Sequence, residues 1–161
     1  MRFPIRVWAG LYGLAVHVVV LVAALWNTQS ASDIPSKFWV TMALPFFTAA
    51  FVVYALVVGS YVPKRPSHRG AVFFDSAVGM LAELGVVVVT AVLHAFASSM
   101  GALSGGFGAY LAAVANNTLF GFLWAVGSFF MQILIVGNAA GFVGWWVMKR
   151  VNARRPAAQQ G

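Results

Sequence analysis

Residues 71–97 read AVFFDSAVGM LAELGVVVVT AVLHAFA, a stretch whose ionisable side chains are Asp75, Glu83 and His94. As an α-helix it would run about 40 Å, more than the ~30 Å hydrocarbon core of a bilayer. Its valine-rich centre would favour a strand in water. In lipid the backbone has no water to bond, so a long apolar run closes its own hydrogen bonds as a helix. A barrel strand would instead alternate apolar and polar side chains over about ten residues, and no such alternation occurs here.

Three further apolar runs flank this one: Ile5–Trp26, Phe38–Val62 and Thr118–Met148. Each exceeds the ~20 residues that a spanning helix needs. The whole chain agrees with them. Of its 161 residues, 61% are apolar and 8% charged, where soluble domains are about a quarter charged. The expected fold is an all-α integral membrane protein, a bundle of four transmembrane helices forming a single membrane domain over 1–161. The segment 149–161 is read as a basic cytoplasmic tail.

The basic residues predict the orientation. Arg2 and Arg6 precede the first run, Lys64, Arg65, His68 and Arg69 join the second to the third, and Lys149, Arg150, Arg154 and Arg155 follow the fourth. The other two connections hold Asp33 and Lys37, and no charge between Ala97 and Thr118. Positive clusters mark the cytoplasmic side, which places both termini there. Trp8, Tyr61, Trp145 and Trp146 then fall at the cytoplasmic ends and Trp26, Trp39 and Trp124 at the opposite ends, where amphipathic rings prefer to sit. The net charge of +7 is accordingly read as topology signal and lipid contact, not as nucleic-acid binding. Arg2 and Arg6 before an apolar run also resemble a signal peptide. The run is long for one and places Gln29 where a small residue belongs, so a retained first span is expected.

Local irregularities are expected at three places. Pro45 lacks an amide donor and would crowd the carbonyl of Thr41, predicting a kink in the second span. The fourth run, at about 46 Å, must tilt, bend near Gly127 or Gly137, or begin outside the hydrocarbon. The uncharged segment Ser98–Asn117 reads as a flexible outer loop, with a surface-lying or re-entrant segment as the alternatives. The end of the tail, Pro156–Gly161, reads as disordered.

Small residues recur four apart: Ala9 and Gly13, Ala55 and Gly59, Gly137 and Gly141, with Gly144 extending the last stripe. At that spacing helix backbones can approach closely, either within this chain or against a partner or second copy. Polar side chains also lie deep in the runs. His17, Tyr54, Glu83 and Asn138 fall about 15–21 Å from the nearest cytoplasmic charge, and Gln132 deeper. A carboxylate at that depth costs at least ~2.5 kcal/mol, so Glu83 is expected to find a partner, with His17 the candidate. The layer is either a structural joint between helices or a site for protons or a polar substrate. Asp75, near the start of its helix, is expected to pair with Arg69 or Lys64.

Other chemistry is excluded or unsupported. The chain has no cysteine, which removes disulfides and thiolate metal sites. One His and one Glu fall short of the three or four ligands of a zinc site. His17 and His94 differ in depth, against a shared haem. The sequence has no phosphate-binding loop, metalloprotease motif, nucleophile elbow or calcium loop, and its Gly-rich segment 101–108 precedes no lysine. No catalytic residue, metal or cofactor is therefore expected, and the chain does not read as an enzyme. The expectation is a small multi-pass accessory subunit of a larger bacterial inner-membrane assembly of the secretion, conjugation or respiratory type. Its partners would be the lipid bilayer and other membrane subunits or a second copy. A small transporter, channel or lipid carrier built on the Glu/His/Asn layer is the alternative.

Overall fold

The computed structural model describes residues 4–28, 42–65 and 71–153, with the side chains at 24–28, 124–129, 131, 132, 148 and 151–153 outside the description. Among the described residues there are four long helices and no strand: α1 (Ile5–Thr28), α2 (Leu44–Tyr61), α3 (Ala71–Ser98) and α4 (Phe107–Ala153). Three stretches are long and apolar enough to cross a membrane: Ile5–Ala23, Leu44–Lys64 and Ala71–Ser98. α4 carries two shorter apolar stretches, Phe107–Leu123 and Ile133–Val147.

The surface is strongly apolar. Val19, Phe73, Phe120 and Ile135 are each more than 60% exposed, which water would penalise and hydrocarbon does not. The interior is made of small side chains: Ala9, Ala49, Ala50 and Ala82 are fully enclosed, around Tyr54 and Val86. In a bilayer the apolar effect gives no preference for inside over outside, so close packing and interhelical hydrogen bonds must hold the helices.

The expected small-residue stripes are used within the chain. A Cβ on Gly141 would land on the backbone carbonyl oxygen of Asp75 and 3.2 Å from the Cα of Gly79. One on Gly137 would lie 2.7 Å from the Cα of Met80. Gly144 faces the ring of Tyr12, Gly59 lies against the Cα of Arg6, and Gly13 against the Tyr54 side chain. Ala55, by contrast, is only partly buried. Gly79 supplies the other half of the α3–α4 crossing, facing the Gly137 carbonyl oxygen and the Gly141 backbone. The antiparallel α3–α4 pair and the α1–α2 pair are joined through α2 and α3.

The structure bears on three local expectations. Pro45 lies in the first turn of α2, preceded by a π-type turn at Met42–Ala43. Its missing N–H falls at the junction between that π-type turn and α2, and a π-type turn is one of the places where helices bend. Thr41 lies outside the described residues. The segment Ser98–Asn117 is not a flexible loop: a 3-10 turn, Met100–Gly105, leads into α4 at Phe107. Gly106 makes the reversal with φ 95°, a conformation that side-chain-bearing residues resist. Asn117 then donates to Ser99 Oγ at 2.9 Å, tying α4 to the end of α3. α4 thus runs 47 residues, about 70 Å, starting eleven residues before the apolar run that signals it.

Candidate functional site

Three helices bring one polar side chain each to a common point. His17 of α1, Tyr54 of α2 and Glu83 of α3 all have no solvent-accessible surface. The Tyr54 hydroxyl donates to Glu83 Oε1. His17 Nε2 faces Glu83 Oε2 at 3.4 Å. The other ring nitrogen, Nδ1, donates to the carbonyl oxygen of Gly13 at 2.9 Å, one turn back on α1.

Packing fixes each member. Gly13 has no side chain, which lets Tyr54 lie directly on α1 beside the turn that holds His17. Phe46 meets the His17 ring edge-on at 4.8 Å, and Tyr54 stands across it at 5.7 Å. Tyr12, one turn and a fraction before His17, tilts against Tyr54 at 5.9 Å and donates to the Ala140 carbonyl of α4 at 2.8 Å. An inventory by depth passes over Tyr12, although its place five residues before His17 on an apolar helix is a signal for it. All four helices are therefore linked through side chains of α1 and α2.

One further member of the expected layer, Asn138, lies elsewhere. Asn138 is exposed on α4 and its amide turns back to the Leu134 carbonyl at 2.6 Å. It shares the depth of Glu83 but not its direction. Gly137 packs on Met80, and the next residue along a helix points about 100° away from it. The Gln132 side chain lies outside the described residues. His94 lies on α3 and is partly buried.

A second polar cluster closes one end of the bundle. Asp75 is buried and receives two hydrogen bonds from Arg65, Nε to Oδ1 at 2.8 Å and Nη2 to Oδ2 at 2.7 Å. The Tyr61 hydroxyl adds a third at 2.8 Å. The expected partner Lys64 is replaced by its neighbour Arg65, whose planar fork matches a carboxylate, and Arg69 lies outside the described residues. The Arg65 guanidinium also covers the Trp145 ring at 3.7 Å, as Arg150 covers Trp146. Its hydrogen bonds to Asp75 raise the guanidinium above its ordinary range, keeping it cationic. Arg6, Arg65, Lys149 and Arg150 meet at this end through the contacts of Gly59 with Arg6 and of Trp145 with Arg65 and Lys149.

Chemically, the buried trio can hold and share protons. Among the described residues no three His, Asp or Glu side chains gather as a metal site. No known protein family, curated protein or solved structure matches the chain. What the fold and site define, among the described residues, is an all-helical protein with three helices long and apolar enough to span a membrane, joined by a buried polar trio.

Proposed function

We propose that this protein is a structural, accessory subunit of a larger membrane assembly, with the Tyr54–Glu83–His17 trio as its internal joint. One observation carries the reading: His17, Tyr54 and Glu83 are sealed inside the chain's own core, each with zero accessible surface. A transport site has to open to water or substrate at some stage, whereas Tyr54 lies directly on α1 at Gly13 and, one turn along α3 from Glu83, α3 and α4 meet backbone-to-backbone at Gly79, Gly137 and Gly141. Buried hydrogen bonds between membrane helices contribute about 0.6 kcal/mol each, up to ~1.7. The same layer is therefore well suited to fixing helix positions.

The setting proposed with it is a four-span bundle in a bacterial inner membrane, N-in and C-in, with α4 providing the fourth span. The end bearing Arg6, Arg65, Lys149 and Arg150 would face the cytoplasm, as cationic residues retained on that side require. Other membrane subunits or a second copy would meet the apolar outer faces.

Two experiments together decide the matter. Native mass spectrometry from mildly solubilised membranes should find the chain at fixed stoichiometry in a larger complex, and Glu83→Gln should leave that complex intact. Purified protein in proteoliposomes should conduct neither protons nor ions. A flux that wild-type protein supports and Glu83→Gln abolishes would overturn the structural reading in favour of a transporter.

A further inference from the structure

We propose that His17 and Glu83 bind one proton between them, making the trio a proton-holding site whose occupancy clasps α1 to α3. The inference follows from counting hydrogens, and it stands whatever assembly the protein serves.

The Gly13 carbonyl can only accept, so His17 Nδ1 must carry a hydrogen. The Tyr54 hydroxyl gives its hydrogen to Glu83 Oε1. That leaves His17 Nε2 and Glu83 Oε2 facing each other at 3.4 Å, both fully enclosed and with no other hydrogen-bond partner. With no proton between them, two lone pairs oppose and a carboxylate charge stands uncompensated in a low-dielectric core. With two, an imidazolium faces a carboxylic acid, and the positive charge has no counter-ion. With one, the pair is neutral overall and a closure of a few tenths of an ångström gives a normal hydrogen bond. The proton sits on either atom without changing that count.

Among the described residues no neighbouring charge upsets this balance. From α1 the facing titratable group is Tyr12, and from α2 it is Tyr54. The described side chains of α4 turn no charge toward the pair: Ala140 offers its carbonyl to Tyr12, and Asn138 points outward. On α3, Asp75 lies eight residues, about 12 Å, from Glu83 and is matched by Arg65.

The consequence is mechanical. α1 lies along α2 through Gly10, Gly13 and Gly59 and reaches Glu83 of α3 through His17. Removing the proton turns that reach from an attraction into a repulsion while leaving the α1–α2 seam untouched.

The chain contains a single glutamate, Glu83, so the test needs no assignment on the acid side. The full-length protein, labelled with δ-¹³C glutamate and ¹⁵N histidine, is reconstituted in lipid vesicles at neutral pH. Infrared spectroscopy reads whether the labelled carboxyl is an acid or a carboxylate. Solid-state NMR reads the His17 ring, identified by the signals lost in His17→Gln. Should that variant fail to fold, His68→Gln and His94→Gln identify His17 by elimination. The expected result is one proton: an acid beside a neutral ring, or a carboxylate beside a doubly protonated ring. A carboxylate beside a neutral ring, or an acid beside a doubly protonated one, would overturn the proposal.

Discussion

Replacing Gly79 with alanine adds one carbon at the tightest point of the α3–α4 crossing. That carbon would lie 2.6 Å from the Gly141 nitrogen and 2.7 Å from its Cα, and closer still to the Gly137 carbonyl oxygen. These are backbone atoms, which cannot rotate away. Restoring contacts of about 3.4 Å requires the helices to part by roughly 0.8 Å (3.4 less 2.6) at Gly141, and by more at Gly137. A gap of 0.5–1 Å forfeits about a quarter to a half of each dispersion contact along the crossing. Overpacking of this kind costs about 1–3 kcal/mol, against which alanine's better helix propensity returns at most ~1. Net destabilisation of up to about 2 kcal/mol is expected, read by reversible unfolding in mixed micelles. Gly121→Ala is the internal control on the same helix pair. Its added carbon meets the Ala91 Cβ at 3.9 Å, an ordinary contact, so stability should hold or rise. Equal stability of the Gly79 and Gly121 variants would refute the crossing as described.

Tyr54→Phe removes the hydroxyl that donates to Glu83 Oε1 and should cost about 1–3 kcal/mol in the same unfolding assay; no loss would show that another donor takes its place. Glu83→Gln should be milder than Glu83→Leu, because the amide keeps a partner for Tyr54 and His17 whereas leucine strands both. Arg65→Gln should cost about 1.5–3 kcal/mol by removing a charged fork from buried Asp75. Arg65→Lys should fall between, since it keeps the charge but not the two-point geometry. Cysteine labelling from outside intact cells should reach Ser32→Cys and Ser104→Cys but not Ser67→Cys; equal labelling of residues 67 and 104 would contradict four spans.

The apolar runs made α1, α2 and α3 legible because length and hydropathy suffice where lipid imposes the helix. The start of α4 was hidden for a related reason. Its first turns carry Gly108, Asn116 and Asn117 among alanines, and the apolar stretch they belong to, Phe107–Leu123, is too short to mark a span by itself. Within the site, depth along the helix groups His17, Tyr54 and Glu83, whose side chains meet in the structure. Depth alone could not exclude Asn138, because rotation about the helix axis decides which residues face inward. That rotation was implicit in Gly137 and Gly141: if their side packs against α3, Asn138 lies off it. Gly79 went unread because its partners, Gly137 and Gly141, lie on another helix and no spacing within α3 reveals them.

His17 and Glu83 act as one unit across α1 and α3, and a double-mutant cycle in lipid bicelles measures that directly. His17→Leu, Glu83→Leu and the double variant, none of which can hydrogen-bond across the gap, are compared with wild type for unfolding free energy. A coupling of about 1–2 kcal/mol is predicted, near the upper end for hydrogen bonds between membrane helices. Effects that add to within ~0.3–0.5 kcal/mol would mean the two residues are independent and the clasp does not exist.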